Sequence, residues 1–369
     1  MGCIQDRALK VSYLTFKLCL MNIGLIIYGS LDSLSGGYLY DRKLVEYLRG
    51  RGNLVEVISL PWRNYAAHLA DNLHFKLPPS LDILIQDELN HPSLISANQG
   101  EHPYPIISLV HHLRCSELRP GWQNAFYRFI EKKYLNSVDG FIFNSETTGR
   151  VVNSFVENRK PGIVAYPPTD RFGRPVSEDE IMERVKSPDL KILFLGNVIH
   201  RKGLHTLLIA VSGHQSALRV DVVGALDSEP GYARKMQDFV IDNHLTSSVA
   251  FHGPLDREPL VEKLKQAHLL VVPSSYEGFG IVYLEGMGFG LPAIGTTAGA
   301  AGEIIDHGQT GYLIDPDDSR ALAGYLQTLA EDRGLLERLS LNARERYLRQ
   351  PSWAETAENI HKFLHSFIH

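Results

Sequence analysis

Cysteine is scarce in this chain of 369 residues: Cys3, Cys19 and Cys115 stand far apart. They offer neither the paired spacing of a disulfide framework nor the clustered spacing of a zinc site, and reduced thiols fit a cytoplasmic protein. A basic excess is also missing. The formal net charge of -5 argues against a nucleic-acid binder, which carries clustered Lys and Arg, so the only nucleotide expected is a small one. No apolar run is long enough to cross a bilayer. Residues 11–20 come nearest, but Lys17 interrupts them and no small-residue cleavage pattern follows. The Gly-x-Gly-x-x-Gly spacing of a dinucleotide fingerprint is absent after the first apolar strand, which disfavours a dinucleotide dehydrogenase. Solenoid repeats and low-complexity tracts are lacking too.

What remains is a globular composition, 44% hydrophobic and 21% charged. The length suits two domains, each with its own core. Apolar runs alternate with helical patterns twice over. The first half predicts strands at Ile23–Tyr28, Leu54–Ser59, Ile83–Gln86, Ile106–Val110, Gly140–Asn144 and Gly162–Ala165. The second half predicts strands at Ile192–Gly196, Arg219–Gly224, Val249–His252, Leu269–Pro273, Ala293–Thr296 and Gly311–Ile314. Such alternation means an α/β fold with a helix-covered parallel sheet in each domain. Pro167-Pro168 to Pro188 is polar, proline-spotted and without clear periodicity. It divides the chain into a first domain at 21–168, a linker at 169–188 and a second domain at 189–350, followed by a terminal helical segment at 351–369.

The most informative segment runs from Ser275 to Gly286, where Glu277 and Glu285 lie eight positions apart around Gly278-Phe279-Gly280. The apolar run before it reads as a buried strand and Gly280–Met287 as the start of a helix. The glycines therefore sit at a strand-to-helix turn, where free backbone N–H groups and partial positive charge make a seat for phosphate or sugar hydroxyls. With Glu277 at the end of the strand and Glu285 about two turns into the helix, the carboxylates can hold two parts of one extended ligand. Upstream, a second strand ends at Gly196 and is followed by Arg201-Lys202-Gly203. Adjacent cations at a strand's carboxyl edge suit a diphosphate, Arg as a planar fork and Lys as a mobile point charge.

These pieces, with Gly290-Leu291-Pro292-Ala293-Ile294-Gly295, Gly299–Ile304 and Gly308-x-x-Gly311, resemble the retaining nucleotide-sugar glycosyltransferases of family 4 (group 1). Order and spacing agree across the whole C-terminal half. The resemblance implies the GT-B fold: two Rossmann-like parallel-sheet domains facing a central cleft, with a C-terminal helix that crosses back to the N-terminal domain. It implies transfer of a hexose from a nucleoside diphosphate sugar to an acceptor hydroxyl, with retention of configuration and with no cofactor or bound metal required. Arg201 and Lys202, with Gly196 nearby, would stabilise the leaving diphosphate. Glu285, next to Leu284, would bind the ribose, and Glu277 with the N–H groups of Gly278, Phe279 and Gly280 would hold the donor sugar. In the fainter N-terminal half, Gly36 and Gly37 end a loop that the family turns toward the donor phosphates. His111, with His112 as fallback, stands where the family places a histidine against the sugar. Ser145-x-x-Thr148 matches an architectural helix cap. Met21 precedes the first strand, where the family commonly begins, so residues 1–20 are expected to be a dispensable extension.

Several positions keep two readings. Glu303 matches a recurrent family carboxylate and equally reads as a helix cap. Asp315-Pro316-Asp317 is formally an Asp-x-Asp metal motif but stands in a turn context and reads as a turn. Gly299-Ala300-Ala301-Gly302 replaces the family's frequent Gly-Gly-x-Pro. Trp122–Tyr134 mixes aromatics with Arg128, Lys132 and Lys133; this is either an amphipathic helix with its apolar side in the core, the commoner pattern, or a face for an acceptor or a membrane surface. The acceptor (sugar, glycan or lipid-linked) stays open, as do UDP-glucose, UDP-N-acetylglucosamine and GDP-mannose as donors. A nucleotide-sugar 2-epimerase shares the architecture but lacks the Arg-Lys-Gly plus Glu-x7-Glu combination. An inactive sugar-nucleotide-binding scaffold need not keep all four charged residues.

Overall fold

The computed structural model describes residues 20–33, 36–100, 102–168, 170–213 and 218–368. Cys3, Cys19 and the expected extension up to residue 19 lie outside them. Two six-stranded sheets make up the fold, and every ladder in them is parallel. The first contains β1 (Asn22–Tyr28), β2 (Leu54–Leu60), β3 (Ile83–Asp87), β4 (Ile106–Val110), β5 (Gly140–Phe143) and β6 (Gly162–Val164), in the order β2-β1-β3-β4-β5-β6. The second contains β7 (Leu190–Leu195), β8 (Leu218–Val223), β9 (Val249–Gly253), β10 (Leu269–Val271), β11 (Ala293–Thr296) and β12 (Gly311–Ile314), in the order β12-β11-β10-β7-β8-β9. β3 and β4 are buried at every residue. Helices cover both faces of the sheet, so these strands read as unbroken apolar runs and not as alternation.

In the second sheet the chain runs outward from β7 and then reverses to place β10 on its other side. In the first sheet the same reversal falls between β1 and β3. Such switch points open a crevice at the carboxyl ends of the flanking strands, because the following loops turn to opposite faces of the sheet. The Arg201-Lys202 turn follows β7 and Glu277 follows β10, so both belong to one crevice.

The last helix, Trp353–His365, leaves the second domain and packs on the first. Ala357, Ile360 and Leu364 are buried with Leu44, Val45 and Leu48 of the helix Gly36–Gly50. Ser352 and Glu355 close a capping box at its start, and the Tyr47 hydroxyl donates to Glu358 at 2.6 Å. One expectation needs correcting. The stretch 169–188 is not all irregular linker, since Glu178–Val185 is a helix with a Ser177/Glu180 capping box. Its Ile181 and Val185 enter the core of the second domain. With only two buried apolar positions in eight residues, its period was too brief to read.

Candidate active site

Gly203 sets the position of the two cations. It adopts φ 70°, and a Cβ there would lie 2.1 Å from the Pro273 carbonyl oxygen, so only glycine lets the Arg201-Lys202 turn settle against the end of β10. The Ser275 N–H donates to the Arg201 carbonyl at 2.8 Å. Lys202 Nζ then reaches Glu277 Oε1 at 2.5 Å, and the Ser274 hydroxyl donates to the same oxygen at 2.6 Å. Arg201 Nη1 stands 3.9 Å from Glu277 Oε2 and donates to the Tyr276 carbonyl at 2.9 Å. Burial alone would raise the Glu277 carboxyl, but Lys202, Arg201 and Ser274 outweigh it and hold the group below its usual range. The Lys202 ammonium is held low by burial, with Glu277 opposing only in part. The result is a desolvated, charge-balanced pair with a second cation beside it.

Gly280, at φ 92°, caps the helix Ile281–Gly288. Glu285 in that helix is buried and takes Arg171 Nη1 at 2.8 Å. Burial raises its carboxyl, against the pull of Arg171. The Phe279 and Leu284 side chains lie in the core of the second domain, so what these residues present to a ligand is backbone.

On the facing side His111 begins the loop after β4. Its Nε2 lies 3.1 Å from Asp41 Oδ1, and a Cβ on Gly37 would come within 3.3 Å of its ring. Burial disfavours the imidazolium, but the Asp41 hydrogen bond and charge, with Asp87 and Glu88 beyond, raise the group to about 9. His112 turns instead to Glu117, at 2.9 Å. Asp41, Asp87, Glu88, Ser274 and Arg171 escaped the sequence reading. The one available signal was Asp87-Glu88 at the carboxyl end of β3, beside a switch point. Asp41, Asp87 and His111 could bring three ligand atoms within 4.8 Å of one another, as could Glu88, His91 and Glu131. In the second set His91 bonds Tyr65 and the Glu88 carbonyl and Glu131 accepts from the Arg114 and Cys115 N–H groups, while the buried Glu88 Oε1 has no hydrogen-bond partner. In the first, the nitrogen facing the carboxylates is the one bonded to Asp41. Asp317 lies in a turn at φ 63°, bonded to His205 at 2.9 Å.

The two halves of the site touch. A Cβ on Gly278 would fall 2.4 Å from the His111 carbonyl oxygen, and the Ser145 hydroxyl donates to the Gly278 carbonyl at 3.0 Å. A Cβ on Gly36 would lie 3.5 Å from Ile281 Cγ2, so the N-termini of the helices Gly36–Gly50 and Ile281–Gly288, one from each domain, converge. Glu303 acts as a cap, and across the cleft: its carboxylate accepts from the Glu146 and Thr147 N–H groups at 2.9 and 2.6 Å.

Two parallel sheets, with their carboxyl edges turned to one cleft and a terminal helix crossing back, form the GT-B architecture of glycosyltransferases. Within it, residues 177–346 match the family model of the group 1 glycosyl transferases. Among curated relatives, a glycogen synthase of Mycobacterium tuberculosis is 29% identical over 178 residues, 47% of this chain and 42% of its own length. The chain thus spans less than half of that relative. The D-rhamnosyltransferase WbpZ of Pseudomonas aeruginosa is 29% identical over 264 residues, 66% of this chain and 67% of its own. The sucrose-phosphate synthase of Thermosynechococcus elongatus superposes with a TM-score of 0.77 at 21% identity, covering 92% of this chain and 97% of that one. HepE of Anabaena, solved with UDP and glucose, superposes at 0.72 and 18% identity, covering 93% and 98%; at these identities the likeness speaks for the fold alone. Among the described residues no helix is long and apolar enough to cross a membrane.

Proposed function

We propose that the protein is a family 4 retaining glycosyltransferase that moves a hexose from a nucleoside diphosphate sugar to an acceptor hydroxyl. The observation that carries this reading is the Lys202–Glu277 pair at the β7/β10 switch point, flanked by Arg201 and by two converging helix N-termini. Converging dipoles and two cations favour a diphosphate, and they favour it more as the bond to the sugar breaks and charge collects on the leaving oxygen. Arg201 and Lys202 stabilise that charge. Glu277 and the backbone N–H groups of Gly278 to Gly280 hold the sugar, and Glu285 takes the ribose hydroxyls once Arg171 yields its oxygen. His111, with Gly36 and Gly37 beside it, closes on the sugar from the first domain. The leaving phosphate oxygen accepts the acceptor's proton, so no side-chain base and no metal is assigned. UDP and UDP-glucose bound to HepE support a nucleotide-sugar donor.

The test is a thermal-shift panel of UDP, GDP, ADP and their sugar conjugates, since a ligand that binds only the folded chain raises its melting temperature. Stabilisation by one nucleoside diphosphate and its conjugates is the expected result. No shift from any of them would overturn the donor site.

A further inference from the structure

The helix Gly121–Asn136 has two unlike faces. Ile130, Glu131, Tyr134 and Leu135 are buried. On the opposite side Trp122, Phe126 and Phe129 follow i, i+4, i+7 spacing and so share one stripe. They are 74%, 45% and 57% exposed. The commoner expectation for this segment, with its apolar residues in the core, therefore holds only for the inner face. Large aromatics left together in water mark a surface that an apolar partner covers.

The charge around the stripe says which partner. Arg128, Lys132 and Lys133 are exposed beside it, and Lys133 Nζ lies 4.5 Å from the Phe129 ring centre. The helix has one carboxylate, Glu131, which is turned inward onto the Arg114 and Cys115 N–H groups. Lys132 meets Glu157 at 3.3 Å on the rim. Aromatics that are apolar in body, flanked by Lys and Arg with no opposing acid on the helix surface, match an interface with an apolar interior and an anionic headgroup layer.

We propose that this face docks on an anionic lipid bilayer, with Trp122, Phe126 and Phe129 entering the headgroup boundary and Arg128, Lys132 and Lys133 meeting lipid phosphates. The stripe begins next to the cleft. The chain between His111 and Trp122 is tied down by His112–Glu117 and Glu117–Arg119 contacts, so docking brings the first-domain rim of the cleft to the membrane surface.

The experiment is co-sedimentation of the full chain with phosphatidylcholine vesicles, with and without phosphatidylglycerol. The mixed vesicles should carry the protein down, and the triple variant Trp122→Ser/Phe126→Ser/Phe129→Ser should partition at least about tenfold less. Lys132→Glu/Lys133→Glu should lose binding similarly, and both variants should keep the parent melting temperature because the changed side chains are exposed. A parent that stays in the supernatant, or a triple variant that binds as well as the parent, would overturn the proposal. In a Trp62→Phe/Trp353→Phe background, Trp122 emission should shift to the blue with mixed vesicles; unchanged emission would overturn it too. A concentration-dependent dimer in analytical ultracentrifugation that the triple variant loses would assign the face to a second copy of the chain instead.

Discussion

His111 Nε2 lies 3.1 Å from Asp41 Oδ1, and Asp41 is fully buried with its other oxygen lacking a hydrogen-bond partner. A buried carboxylate with one partner holds that partner charged, because losing the imidazolium would leave an uncompensated anion. The imidazolium, raised to about 9, therefore persists through neutrality. Turnover that uses it should be flat around pH 7 and fall as pH rises through about 9. The same shift favours the folded state fully below the unfolded value of 6.5, and that contribution fades as pH climbs through about 9. Asp41→Asn removes the nearest charge and should move the alkaline limb of kcat/KM down by roughly 1–3 pH units. A limb that stays in place would show that His111 does not act as the cation.

Lys202 and Glu277 test each other. Lys202→Ala takes the leaving-group cation away and leaves a buried carboxylate with only Arg201 and Ser274 near it. The loss in kcat/KM should amount to about 2–4 kcal/mol, the scale for one transition-state donor, and the melting temperature should fall as well. Pairing the change with Glu277→Gln should restore much of the melting temperature, since a neutral amide needs no counter-charge, yet leave turnover low. Donor kinetics and calorimetry on the two variants distinguish a catalytic cation from a structural ion pair.

Gly278 tests whether the domains must meet. A Cβ there would sit 2.4 Å from the His111 carbonyl oxygen, which is backbone and cannot rotate away. Gly278→Ala should hold the cleft open, lowering kcat by at least about tenfold and increasing the radius of gyration in small-angle scattering. Gly324→Ala meets open space and is the matched control. Equal scattering and turnover in the two variants would mean that this contact is incidental.

Much of the fold was legible because parallel sheets announce themselves. The twelve strands of the described residues read as apolar runs that end in glycine, proline or a polar cluster, and the observed bounds fall within two residues of those expected. The second-domain site was legible for the same reason, since Arg201-Lys202 and Glu277 each stand just past such a run. Asp41 was not legible, because one acid in the first turns of an amphipathic helix looks like surface until the register buries it. Arg171 lies in the polar stretch before the second domain, and nothing local marks its reach to Glu285.

The crossover helix offers the last test. Leu364 is fully buried among residues of the first domain, although the chain reaches it only after completing the second. Leu364→Ala should cost about 2–5 kcal/mol, the range for a buried leucine, and the loss should fall on the first domain and not on the donor half. Calorimetry should show the first-domain transition moving down, while UDP or GDP binding at the β7/β10 crevice keeps its affinity. Tyr47→Phe removes only the hydrogen bond to Glu358 and should cost about 0.5–1.5 kcal/mol. If Leu364→Ala instead weakened nucleotide binding in step with stability, the helix would be supporting the donor site through the domain interface, and the two domains would melt as one cooperative unit.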